Sequence, residues 1–458
     1  NGSELSINGE TLSGDIVIGE GITSIPARTF GDSDIVSVTL PDSVREIGYG
    51  AFSGADSLTR VDMGEGIEII GSSAFYDCTG LESIALPSSL TQIGSGAFNG
   101  CTSLTSVEIP DSVTSVGGSA FSRCNSLVSV KLPSGLEEIE SYLFSYCTAL
   151  SSIAIPSSVT AIGPNAFQGC AAIASFELPE ALNEVGEYAF QGCTGSITWK
   201  VEGYGGIIGD FAFAGYAGTE LDLSFFREYG EGAFSDCPNL VTFSFNAPYE
   251  DDYASVTSGD IGLFEGCVSL ESVTGIPTVA NRMFAGCVSL TEIELPENGN
   301  NTVATEMFEG CTSLQHIDIP DGYNYIQTRA FADCTSLDAI ELPASIQDIS
   351  GAPFDGISAV ITWESGSTMS WINYGAFEGY LGDALVLPAS VTEINEAAFS
   401  GCTADITWES GATIELIGRG AFRGWLGESI ALPESVKYFT TETHSGYDNF
   451  ANCVNLKS

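Results

Sequence analysis

The stretch "IGSGAFNGCTSLTSVEIP", residues 93–110, sets a cysteine three residues after a phenylalanine and then runs into an apolar segment stopped by a proline. The phrase returns along the whole chain. Aligned on its phenylalanine, it falls at Phe30, Phe52, Phe75, Phe98, Phe121, Phe144, Phe167, Phe190, Phe213 and Phe234, then at Phe264, Phe284, Phe308, Phe331, Phe354, Phe377, Phe399, Phe422 and Phe450. Most steps are 23 residues, and 19 repeats of that period mark a solenoid in which each turn packs on its neighbours.

A regular turn reads "LESIALPSSLTQIGSGAFNGCTS". Leu81, Ile84 and Leu86 end in period-two alternation and are stopped by Pro87, as suits a short strand stacked in parallel on the next turn. A second extended piece, Leu90 to Ile93, runs along the opposite wall, and Gly94 and the A-F-x-G-C segment make the corners. At about 4.8 Å per turn, 19 turns give a rod on the order of 90 Å long. No segment leaves room for an ordinary helix of about 10 residues, so helix content is expected to be low.

The recurring LPxSVxxIGxxAFxGCxxL phrase resembles the BspA-like class of leucine-rich repeats, from about Ile16 to Cys453. The resemblance implies an all-β-rich, right-handed curved solenoid of about 19 turns, of a kind found on secreted and cell-surface proteins, many of them adhesins. It supplies no catalytic site to carry over. The expected organisation is a cap or edge strand over 1–15 and one elongated solenoid over 16–458, with irregular turns near 196–216, 246–262, 296–304, 360–380, 405–425 and 438–449.

Composition narrows the partners. Hydrophobic residues make up 44% of the chain and charged ones 16%, enough apolar surface for a large core. Thirteen Lys and Arg against 60 Asp and Glu give a net charge of −47, which repels nucleic acid and anionic lipid and attracts cations and basic proteins. No apolar run approaches the 18 or more residues that would signal membrane insertion. The chain opens on Asn1 rather than methionine, in keeping with a removed leader.

All 13 cysteines stand three residues after a repeat phenylalanine. The remaining turns put Ser33, Ala55, Tyr216, Ile357, Tyr380 and Trp425 in that slot, a set that identifies interior packing rather than chemistry. Zinc sites need clustered ligands, and here the nearest cysteines, Cys267 and Cys287, lie 20 residues apart. Parallel stacking also leaves neighbouring Cβ atoms farther apart than the usual disulfide range. A ladder of buried free thiols is the expectation.

The departures from the period hold the candidate sites. Three turns replace the L-P corner with Trp199, Trp363 or Trp408, and each has an aromatic in the cysteine slot 17 residues later, respectively Tyr216, Tyr380 and Trp425. A re-routed corner would open volume that the larger ring fills; alternatively Trp363 and Trp408 serve as platforms for a glycan or protein. The insertion "NAPYEDDYASVTSGD" carries Glu250, Asp251 and Asp252, weak candidates for a loosely bound Ca²⁺ that lack the D-x-[DN]-x-[DN]-G pattern. No other cofactor is expected. Asn1 and Asn300 begin glycosylation-type sequons.

Strand phase points one row outward through Ser37, Arg60, Ser83 and Ser106 to Glu292 and His316, beside another holding Asp62, Glu108, Lys131, Glu294, Asp318 and Glu341. The first half is small and hydroxylated and the second is acidic, which suits a broad contact better than a pocket. Only His316 and His444 offer an imidazole, and no nucleophile elbow, H-E-x-x-H or P-loop phrase is present. The sequence therefore predicts a non-enzymatic, secreted or cell-surface protein that binds a protein or glycan in adhesion. The alternative is a structural subunit whose partners are copies of itself in an extracellular filament, appendage or surface layer.

Overall fold

The computed structural model describes residues 6–7, 10–199, 206–218, 221, 226–245, 255–257, 259–297, 301–430, 432–440, 449–453 and 455. They form a parallel β-solenoid of about 17 turns with no helix among the described residues. Two compact units are formed, Asn1–Ala233 and Phe234–Ser458, and the second opens with the 30-residue step from Phe234 to Phe264.

Each turn contributes one short strand to each of two walls. On the first wall, Ser106–Glu108 pairs in parallel with Ser129–Lys131, which pairs with Ser152–Ile153. On the second, Gln92–Ile93 pairs with Ile69–Ile70 on one side and Ser115–Val116 on the other. Residues of the repeat face their equivalents one turn away, so side chains form columns. The inward columns are apolar and buried, as with Ile47, Ile70 and Ile93, while their neighbours Glu46 and Gln92 stay in solvent.

Among the described residues seventeen turns show a first-wall strand, and two more that the phenylalanine count includes show a bridge, Ile197 with Leu221 and Ile406 with Ile430, beside residues that lie outside the described ones. The one antiparallel pairing described, Ser6–Ile7 with Glu10–Thr11, precedes the strand Ser13–Val17 at the edge of the first wall.

The repeat residues each have a structural reason. Proline ends the first-wall strand because it has no N–H to donate, and its carbonyl accepts the N–H of Leu90 from three residues on, closing the corner. Gly94 lies so near the preceding turn that a Cβ there would stand 2.4 Å from the Ser72 nitrogen. The phenylalanines stack ring on ring, with centroids 5.1 Å apart for Phe52 and Phe75 and 5.6 Å for Phe284 and Phe308. Truncating one such buried ring to alanine typically costs about 3–5 kcal/mol.

Candidate functional site

One set of side chains available for recognition lies outside these columns, on the first wall's solvent face. In the first unit Arg60 Nε donates to Asp62 Oδ1 at 2.7 Å within one strand, and Lys131 bonds Glu108 across adjacent strands. Glu108 holds the Lys131 ammonium above its ordinary pKa, first through that hydrogen bond and then through its charge. Both pairs are well exposed, so they position charges more than they stabilise the fold.

The second unit concentrates the acidic part. Glu292 stands opposite His316, and Glu294 opposite Asp318, in one parallel pair. His316 Nε2 lies 3.0 Å from Asp318 Oδ1. With Thr274 and Glu297 these side chains line a groove of about 590 Å³. Glu341 is exposed on the nearby strand Ala339–Leu342. The structure thus brings Glu292, His316 and Asp318 together and leaves Arg60 and Lys131 in the other unit. Glu297, beyond the strand's proline, is a groove residue that strand phase did not identify. Such a groove can hold a cationic group by charge and hydrogen bonds; its imidazole faces a carboxylate.

The first of the three corner tryptophans packs in the interior. Trp199 is 5% exposed and its indole N–H donates to the Pro179 carbonyl at 2.9 Å. Trp363 and Trp408 are half-buried and pair in register with Leu342 and Leu387, the residues they replace in the preceding L-P corners. Their partner aromatics, Tyr216, Tyr380 and Trp425, are fully buried. Among the described residues, no group of three or more His, Cys, Asp or Glu is placed to hold a metal. Glu250, Asp251 and Asp252, and the sequon residues Asn1 and Asn300, lie outside the described residues.

All 13 cysteines are free, and all but the half-buried Cys453 are buried. Sequence reasoning missed what their sulfurs do. Cys101 donates its S–H to the Phe75 carbonyl of the preceding turn at 3.2 Å, and Cys124 does the same to Phe98 at 3.1 Å. Burial pushes the Cys124 thiol up to about 12, so it stays protonated and unreactive.

A family model for the BspA type leucine rich repeat region matches residues 10–127, 91–215, 200–280, 257–382 and 370–458. Among solved structures, a leucine-rich repeat protein from Bacteroides ovatus is 26% identical, with 86% of this chain and 92% of that chain covered at a TM-score of 0.59. A leucine rich cell surface protein from Faecalibacterium prausnitzii is also 26% identical, over 77% of this chain and 88% of its own, at a TM-score of 0.41. A leucine-rich repeat protein of T. pallidum is 32% identical over 39% of this chain and 76% of its own, at a TM-score of 0.31. No curated protein matches the chain. No helix among the described residues is long and apolar enough to cross a membrane. With the two-walled parallel solenoid and a family model that matches nearly its whole length, the chain belongs to the BspA-type leucine-rich-repeat family.

Proposed function

We propose that this is a non-enzymatic cell-surface binding protein whose first-wall face engages a partner protein in adhesion. The observation that carries the reading is the in-register acidic face of the second unit, where Glu292, Glu294 and Asp318 stand on neighbouring strands around His316. Such a face is broad and preformed on paired backbone, and it favours a basic partner through charge complementarity. Family membership and the net charge of −47 support placement outside the cell, where mutual repulsion keeps the molecule dispersed.

The test measures binding of purified basic and acidic proteins to the immobilised chain at low and high salt. The expected outcome is retention of basic proteins that weakens steeply with salt. Replacing Glu292, Glu294 and Asp318 by Gln, Gln and Asn should reduce it at least about tenfold, the loss of about 1.4 kcal/mol or more. Binding that ignores both the substitutions and salt would refute the reading, and fibres of the chain alone would favour self-assembly.

A further inference from the structure

A second surface follows from the backbone. Every regular corner places two residues in the left-handed region, two before and two after the repeat phenylalanine. In the turn of Phe75 these are Ser73 at φ 56° and Asp77 at φ 54°. Glycine enters that region without strain, and Asn, Asp and Ser tolerate it better than a bulky ring. Yet in the first unit four aromatics stand there within four consecutive turns: Tyr142 (φ 59°), Tyr146 (59°), Tyr188 (54°) and Phe211 (55°). The fold does not need rings at these positions, since Gly96, Gly100, Gly375 and Gly379 occupy the same sites elsewhere. Arginine, glutamate and alanine also stand at these sites, as at Arg123, Glu306 and Ala397, so what sets the first unit apart is the clustering of rings there.

The rings make one ledge. Tyr142 and Tyr146 are 45% and 46% exposed, while Tyr188 and Phe211 are half-buried. Tyr146 lies over Gly169, where a Cβ would come within 2.8 Å of its ring, and Tyr188 stacks on Phe211 with centroids 5.1 Å apart. Gln168 Nε2 donates to Gln191 Oε1 at 2.6 Å, so a strip of planar amides runs between the two left-handed rows. Across these four turns the two rows and the strip between them carry no charged residue. In part of the second unit the equivalent surface carries ion pairs instead, Arg282 with Glu265 and Arg329 with Glu309 and Asp355. Carboxylates approach the ledge along one side: partial burial, then Glu187, Asp210 and Glu231, raise the Tyr188 hydroxyl above its ordinary pKa.

We propose that the ledge of Tyr142, Tyr146, Tyr188 and Phe211, with the Gln168–Gln191 amides, binds an uncharged linear oligosaccharide. Exposed aromatic faces stack on the C–H faces of pyranose rings, and planar amides and carboxylates pair with vicinal hydroxyls in both directions. The flanking carboxylates disfavour sulfated or uronic chains. Four turns give about 20 Å of ridge, suited to a short run of sugars.

The site is distinct from the first-wall face, so each is tested without the other. The full chain is probed on an array of neutral linear oligosaccharides, including glucans, galactans, mannans and xylans, together with sulfated and uronic chains, and any neutral binder is titrated by calorimetry. Tyr142→Gly and Tyr188→Gly are the decisive variants, because glycine relieves the left-handed strain and each should fold at least as stably as the parent. The expected result is a neutral glycan whose affinity falls at least tenfold in Tyr188→Gly, with thermal stability equal or higher. It should be unchanged when Glu292, Glu294 and Asp318 are neutralised. Retention of anionic chains alone, of no glycan, or of a neutral glycan with undiminished affinity in both glycine variants would overturn the assignment.

Discussion

Cys101 shows how far a single residue could be read. Its column with Cys78 and Cys124 was evident from spacing, and its interior character from the Ala, Ile, Tyr and Trp that take the same slot. The hydrogen bond was not, because the acceptor is the carbonyl of Phe75, 26 residues away. That carbonyl already accepts the Cys78 N–H, so the thiol supplies a second donor to a buried oxygen. Cys101→Ala should therefore cost about 1–2 kcal/mol, from a lost weak hydrogen bond and a small cavity. Hydrogen exchange in the turns around Phe75 and Phe98 would register it as locally faster exchange, the suitable readout where each turn contacts mainly its neighbours. Thiol labelling gives the complementary check: in the folded protein Cys453 should react first and the 12 buried thiols only on unfolding.

At the scale of the element, the tryptophan turns are a coupled exchange of parts. Ordinary turns bury a leucine six residues after the phenylalanine, such as Leu104 and Leu270. Turns ending in tryptophan are shorter, with the first-wall register advancing 21 residues from Ala339 to Val360 rather than 23. The sixth position is then Val360, 57% exposed, and in the following turn it is the exposed Asp383. Two interior leucines are absent, and the ring of Tyr380 fills the space. Its hydroxyl donates to the Ala359 carbonyl at 2.7 Å, as Tyr216 does to Gly195 and the Trp425 indole does to Ala404. A glycine two residues later makes room: a Cβ on Gly382 would stand 2.0 Å from the Tyr380 hydroxyl. The 17-residue spacing was visible in the sequence; the glycine and the missing leucine were not, because each is explained only by a ring packed against it. Gly382→Ala should destabilise this corner by about 2 kcal/mol or more through overpacking, and Tyr380→Phe by about 1–3 kcal/mol by stripping a buried carbonyl of its donor. Urea titration with hydrogen exchange across 357–383 would measure both, and an undisturbed Gly382→Ala would refute the packing account.

Over the whole molecule, titration and charge act together. The buried thiols keep their protons well above the range where an unfolded thiol ionises, as Cys78 and Cys170 show, both pushed up to about 12 by burial. Between an ordinary thiol pKa of about 8.5 and about 12, the unfolded chain therefore binds fewer protons than the folded one, and stability falls as pH rises. The stabilising contribution is fully present below that window. In reducing buffer the urea midpoint should drop from pH 7 to pH 10, and a variant with Cys78, Cys101 and Cys124 replaced by alanine should drop less. The charge of −47 adds self-repulsion that salt screens, so the midpoint at pH 7 should rise with added salt.

The sequence by itself determined the period, the two walls, the inward columns and the family, because a repeat of 23 residues with apolar positions in constant phase can bury them only by stacking turn on turn. It also separated the acidic half of the first-wall face from the hydroxylated half, since outward positions follow from alternation. Only the tertiary structure decided which carbonyl each thiol meets, why a glycine follows each buried aromatic, and that Tyr142, Tyr146, Tyr188 and Phe211 stand on left-handed backbone in one ledge. Those facts depend on neighbours one turn away and on the sign of φ, and neither distance across the stack nor backbone handedness is written in the spacing of residues along a single turn.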